Sequence, residues 1–142
     1  MAGGRPFRIV IASHGDLAAA MLESASMICG TIEDATPVCL RPEHSPEGYT
    51  EELLAAIGDG DMPILLLLDL QGGTPYNVAS LIARRREGKG AQIYCICGLN
   101  LGMLLEAVTS IETIDAESME RLVSAGRESV VDTTRYPQKA IG

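Results

Sequence analysis

The sequence predicts an α/β domain: a three-layer, doubly wound, mainly parallel sheet in the order 2-1-3-4, with a short fifth strand near the C-terminus. Three observations carry that expectation. Short apolar runs alternate with segments of helical periodicity along the chain, the signature of βαβ units. The run Pro63–Leu68 is apolar throughout, as a strand covered by helices on both faces must be. Two strand ends pass straight into glycine-bearing turns, His14-Gly15 and Asp69-Leu70-Gln71-Gly72-Gly73, and each turn opens a helix. In such open sheets ligands bind at the carboxyl edge, where the strand order reverses.

The first strand is expected over Phe7–Ala12. The first helix follows over Leu17–Cys29, with Leu17, Met21, Leu22, Ala25 and Ile28 at helical spacing, and Gly30 suits the position after its end. Thr36–Leu40 reads as strand two. Ser45 and Pro46 form a cap and first-turn pair for a helix over Pro46–Ile57. Strand three ends at Asp69, and Thr74 and Pro75 would cap and open a helix over Pro75–Arg86. Ala91–Cys97 is expected as strand four and Met103–Thr109 as a short helix. Asp115 or Ser118 would cap a last helix that runs to Ala125 and stops at Gly126. Ser129–Asp132 is short and β-branched, which fits a fifth strand. Residues 1–6 are expected to be a disordered start, 7–132 one domain and 133–142 a flexible tail.

A chain of 142 residues with 46% apolar residues can build one substantial core, and 4% aromatics make that core aliphatic. No apolar run approaches the roughly 18 residues of a membrane span. Met1–Pro6 lacks the apolar stretch of a secretion signal, so a soluble, cytoplasmic protein is expected. A formal net charge of −8 argues against a nucleic-acid surface. The basic cluster Arg84-Arg85-Arg86 with Lys89 falls at a helix end, where cations complement the dipole. Cys29, Cys39, Cys95 and Cys97 form no Cys-x-x-Cys pair and read as structural thiols, so no metal is expected.

The chemistry concentrates at the two turns. His14 and Asp69 are 55 positions apart, yet the expected strand order places them on adjacent strand ends. A carboxylate there would hold one imidazole nitrogen, fix the tautomer and leave the other nitrogen free to attack. It would also stabilise the imidazolium formed when a phosphoryl group is attached. The site histidine lies at a helix N-terminus, which favours an anion. Gly72, Gly73 and Thr74 offer backbone N–H groups and a hydroxyl to phosphate oxygens, and Ser13 is a second hydroxyl candidate. Asn77 reads as solvent-exposed and Asn100 as shaping its loop; His44, between Pro42 and Pro46, reads as solvated. Neither motif contains a lysine or arginine, although Arg41 could reach in from strand two. A carrier must release its phosphate readily, so modest neutral donors suit it.

The stretches Ile9–Gly15, Leu68–Asn77 and Gly98–Asn100 with Met103-Leu104 resemble the IIA domain of the mannose family of the bacterial sugar phosphotransferase system, and the likeness covers about Phe7–Asp132. The resemblance implies that the histidine carrier protein HPr donates a phosphoryl group to His14. His14 would pass it to a IIB component, which phosphorylates sugar during import through the membrane components IIC and IID. Asp69 would orient and support His14. The family implies no metal or organic cofactor, and homodimers in which a C-terminal strand, here Ser129–Asp132, crosses to the partner's sheet. Since nothing follows the domain, IIB is expected to be a separate chain. The third stretch departs from the family pattern, with Gly102 where relatives commonly have proline. That departure keeps open a related role, passing the phosphoryl group to a dihydroxyacetone kinase subunit or acting in regulation. Two other classes share the fold. A response-regulator phospho-receiver would use Asp69 but needs paired acids after strand one, and a flavodoxin-like flavin module needs Ser/Thr-rich loops and aromatics; neither pattern occurs.

Overall fold

The computed structural model describes residues 4–90 and 92–135. The elements alternate as β1 (Arg8–His14), α1 (Leu17–Cys29), β2 (Ala35–Leu40), α2 (Pro46–Ile57), β3 (Ile64–Leu68), α3 (Thr74–Arg85), β4 (Ile93–Cys97), α4 (Leu101–Thr109) and α5 (Ala116–Glu128), followed by a 3₁₀ turn at Thr133–Arg135. The four strands are parallel in the order β2-β1-β3-β4, as expected. No described helix is long and apolar enough to cross a membrane.

All five residues of β3 are buried, because both of its edges are paired and both of its faces are covered. Successive side chains of a strand point to opposite faces, and the two cores follow from that alternation. Ile9, Ile11, Leu65, Leu67 and Ile96 pack with Ala18, Ala25, Leu104 and Leu122 of α1, α4 and α5. Val10, Ala12, Leu66 and Leu68 pack with Tyr49, Leu53, Ala79 and Ile82 of α2 and α3. Pro37, which has no N–H to give to a ladder, lies in β2 at the sheet's edge.

Caps fix several boundaries. The Ser45 hydroxyl accepts the Gly48 N–H at 3.0 Å, so α2 starts where the Ser-Pro pair indicates. Asp115 and Ser118 both act at the last helix: the Asp115 carboxylate accepts the Ser118 N–H while the Ser118 hydroxyl accepts the Asp115 N–H, each at 2.8 Å. The Asn100 carbonyl oxygen accepts the Met103 N–H, and α4 therefore begins at Leu101, earlier than expected.

The structure corrects three expectations at the ends of the chain. The last helix does not stop at Gly126 but continues to Glu128. Gly126 is buried inside it, where a Cβ would lie 2.7 Å from the Met103 Cε, so this glycine serves close packing of α5 on α4. Within the single chain Ser129–Asp132 forms no strand: it follows α5 as an exposed segment, with Val130 at 76% exposure. A strand needs another backbone beside it, and within the described residues this segment pairs with none. Finally, the expected disorder of residues 1–6 does not extend to Arg5. Its guanidinium pairs with Asp34 and donates to the Val108 carbonyl, tying the start of the chain to the loop before β2 and to the last turn of α4. Of the expected tail, Thr133–Arg135 forms a turn in which the Asp132 carboxylate accepts from the Thr134 N–H; residues 136–142 lie outside the described residues.

Candidate functional site

β1 runs two residues past Ala12, so His14 is its last residue, level with Leu40 of β2. Asp69 follows the last residue of β3 on the neighbouring strand end. One oxygen of the Asp69 carboxylate, Oδ2, accepts both the His14 backbone N–H at 2.8 Å and the ring Nδ1 at 2.9 Å. A carboxylate can only accept, so Nδ1 carries the proton and Nε2 is left with its lone pair. The imidazole is 46% exposed whereas Asp69 is 10% exposed, with Oδ1 buried and without a partner among the described residues. The acid thus supports the ring from behind, and the ring faces solvent. That arrangement does not suit a phospho-receiver, whose aspartate must itself be open to attack.

Helix α3 meets the ring with its N-terminus. Thr74 was expected as its cap, but the structure makes Thr74 the first helical residue and Gly73 the N-cap, with no side chain capping the helix. Gly73 lies against the imidazole: a Cβ there would be 2.6 Å from Cε1 and 3.0 Å from Nε2. The unprotonated nitrogen therefore sits beside the positive end of the helix dipole and its first-turn N–H groups. Gly72, with φ of +88°, turns the chain into that position. Asn77 is exposed in the first turn, as expected.

Three further side chains near the site have structural roles. Ser13 is only 1% exposed, and its hydroxyl accepts the Ala18 N–H at 2.7 Å and donates to the Gly15 carbonyl at 3.3 Å. Helix α1 has no capping bond from its own N-cap residue, Asp16; Ser13 fills that office from within β1, with its own proton turned to the Gly15 carbonyl. Asn100 shapes its loop, as expected: besides capping α4 it donates to the Gly126 carbonyl at 2.7 Å. His44 is not solvated. Its side chain is 19% exposed, its Nδ1 accepts the Arg41 N–H at 2.8 Å, its Nε2 pairs with Glu52, and its ring meets Tyr49 edge-on. No local signal separates such a histidine from an exposed one, since its partners come from α2 and from the turn after β2.

Ionisation around the site follows burial and charge. Desolvation pushes the Tyr49 phenol well above its ordinary value, with the Asp69 carboxylate adding to the rise, and the hydroxyl donates to the Val38 carbonyl at 3.1 Å. Burial, then the same carboxylate, raises the Cys97 thiol at the end of β4. Both groups stay neutral, which leaves Asp69 as the negative group behind the imidazole. Arg41 is ion-paired with Asp16, two residues beyond His14.

The fold and site define a class: a small doubly wound α/β domain that presents a carboxylate-supported imidazole at the carboxyl edge of its sheet. Residues 8–124 match the family model described as "PTS system fructose IIA component", EIIA-man. The chain belongs to this mannose-type EIIA family of the sugar phosphotransferase system. It is 29% identical over 117 residues to the PTS system sorbose-specific EIIA component of Lacticaseibacillus casei, covering 82% of this chain and 80% of that one. It is 32% identical over 128 residues to the mannose-specific EIIAB component of Escherichia coli K12, covering 86% of this chain but 38% of the longer relative. Among solved structures, a mannose/sorbose-specific IIA subunit from Enterococcus faecalis superposes with a TM-score of 0.77 at 36% identity, covering 94% of this chain and 98% of that one. A phosphotransferase system EIIA component from Streptococcus agalactiae superposes with a TM-score of 0.81 at 31% identity, covering 90% of this chain and 98% of that one. The chain is thus an EIIA component, of the phosphotransferase class, in a system that works with HPr and EIIB proteins.

Proposed function

We propose that His14 is the phosphoryl carrier of this EIIA component. The Nε2 lone pair attacks the phosphorus of phospho-HPr; the N–P bond of the donor breaks as the N–P bond to His14 forms, and the electron pair returns to the donor imidazole. Asp69, through Nδ1, holds the ring in the attacking tautomer and balances the positive charge it acquires. The first-turn N–H groups of α3, with Gly72, Gly73 and Thr74, hold the phosphoryl oxygens. In the second half the acceptor side chain of a IIB component attacks the same phosphorus and His14 leaves. Catalysis is then positioning and electrostatics, since the reacting atoms need only be held in line. On this reading sugar import through IIC and IID follows downstream, and the protein works at the cytoplasmic side of that membrane system.

The observation that carries this reading is the shared Oδ2, 2.9 Å from Nδ1 of a ring whose other nitrogen faces the uncapped end of α3. The open outer edge of β4 and the exposed Val130 and Val131 favour a homodimer in which Ser129–Asp132 of one copy pairs with β4 of the other. The test of the carrier role is to incubate the protein with phosphoenolpyruvate, enzyme I and HPr and to follow acid-labile label. Wild type takes up label and His14→Ala takes up none; label on the variant would remove His14 from the role.

A further inference from the structure

Arg41 is the first residue after β2, on the strand beside β1, where Leu40 is level with His14. Neighbouring strands lie about 4.8 Å apart, so the long arginine side chain spans the distance from its own strand end to the His14 turn. Its guanidinium ends on the carboxylate of Asp16. The pair is open to water, with the side chains 45% and 74% exposed. Its backbone, by contrast, is fixed: the Arg41 N–H donates to His44 Nδ1 at 2.8 Å, its carbonyl accepts the His44 N–H at 3.0 Å, and Pro42 follows. The charged end can change partner while the main chain stays where it is.

We propose that Arg41 is a phosphoryl-state-dependent ligand, held by Asp16 while His14 is bare and drawn to the phosphoryl oxygens once His14 carries them. This rests on the carrier role of His14 proposed above. Two physical points carry it. Exposed carboxylate–guanidinium pairs are weak and exchange readily, whereas a phosphoryl group adds nearly two negative charges and three acceptor oxygens that match the guanidinium fork. Asp16 also limits the contact. It competes for the same cation, so the phosphoryl group is recognised without being fully neutralised, and it remains able to leave for an acceptor. The ion pair thereby sets how long the phosphoryl group stays on this protein.

The experiment uses the whole chain and phosphoramidate, a small N–P donor that phosphorylates imidazole with loss of ammonia and needs no protein partner. The Arg41 Nε–Hε resonance, assigned with Arg41→Lys, is followed by NMR, and the lifetime of the phosphohistidine by its phosphorus signal. The resonance shifts when wild type is phosphorylated and stays in place when His14→Ala is treated. Arg41→Ala shortens the lifetime by roughly fivefold or more, the loss expected for one charge-assisted contact. Asp16→Asn, which frees the guanidinium, lengthens it. An Arg41 resonance that does not respond to phosphorylated His14 would overturn the inference and leave the carrier role standing, as would equal lifetimes or lifetimes that move the same way in both variants. No phosphorylation of His14 in wild type would overturn both.

Discussion

Replacing Gly73 with alanine separates the geometry of the ring from the stability of the fold. The backbone at Gly73 has φ of −85° and ψ of 175°, an extended conformation that alanine adopts freely. The difficulty is the added methyl, which would stand 2.6 Å from His14 Cε1. Carbon atoms pack at about 3.5–4.0 Å, so the ring must retreat by about 1 Å. It has room to do so, because it is 46% exposed. A shift of that size stretches the 2.9 Å bond from Nδ1 to Asp69 beyond hydrogen-bonding range and moves Nε2 off the end of α3. Misplacement by about 1 Å costs on the order of 100-fold in rate, or about 2.7 kcal/mol of barrier. Stability changes little: alanine for glycine at an N-cap costs at most about 1 kcal/mol, or roughly 3 °C in Tm. The assay is single-turnover phosphoryl uptake from phospho-HPr by rapid quench, beside thermal unfolding of the same preparation. Gly72→Ala is the control, because it has φ of +88° and no neighbour within 4 Å. It should lose about 1–2 kcal/mol of stability through backbone strain while slowing transfer less than Gly73→Ala. A Gly73→Ala protein that transfers at the wild-type rate would refute the assignment of the ring's position to this contact.

Other perturbations read other parts of the structure. Asp69→Ala should leave the fold intact but slow phosphoryl uptake on the order of 1000-fold, the scale on which a tautomer-fixing carboxylate acts; unchanged single-turnover rates would reject its orienting role. A Cβ at Gly102 would stand 1.8 Å from the Ser129 Oγ, so Gly102→Ala should cost about 1–2 kcal/mol in urea unfolding, and Ser129→Gly in the same chain should restore most of it. Asp115→Ala should lower Tm at pH 7. The hydrogen bond from the Ser118 N–H is the main cause that holds the Asp115 carboxyl below its ordinary range. A group with a depressed folded value contributes stability above its unfolded pKa and loses it as pH falls through the folded one. The Tm difference between wild type and this variant should therefore be present at pH 7 and close below the ordinary carboxylate range; a difference unchanged in acid would refute the cap's ionic character.

Features that depend on neighbours along the chain are legible in the order of residues alone. Periodicity placed α1, α2 and the buried β3 within a residue of where they lie, and the Ser45-Pro46 pair marked the start of α2. The parallel strands and their order follow from βαβ connectivity, which brings His14 and Asp69 to one edge of the sheet although 55 residues separate them. Features that depend on approach from elsewhere in the molecule emerge only in the folded chain. A serine after an apolar run looks the same whether it faces a phosphate or, like Ser13, turns inward to cap the next helix. A glycine near a helix end looks like a stop signal, but Gly126 is retained inside α5 because Met103 of α4 occupies the space its side chain would need. His44 became a half-buried link once α2 supplied Glu52 and Tyr49, and Arg41 found Asp16 across two strand ends. Ser129–Asp132 has the residues of a strand, yet a ladder requires a second backbone, and composition cannot supply one. Turn chemistry and side-chain period act over a few residues, whereas burial and choice of partner are settled only when distant segments compete for the same space.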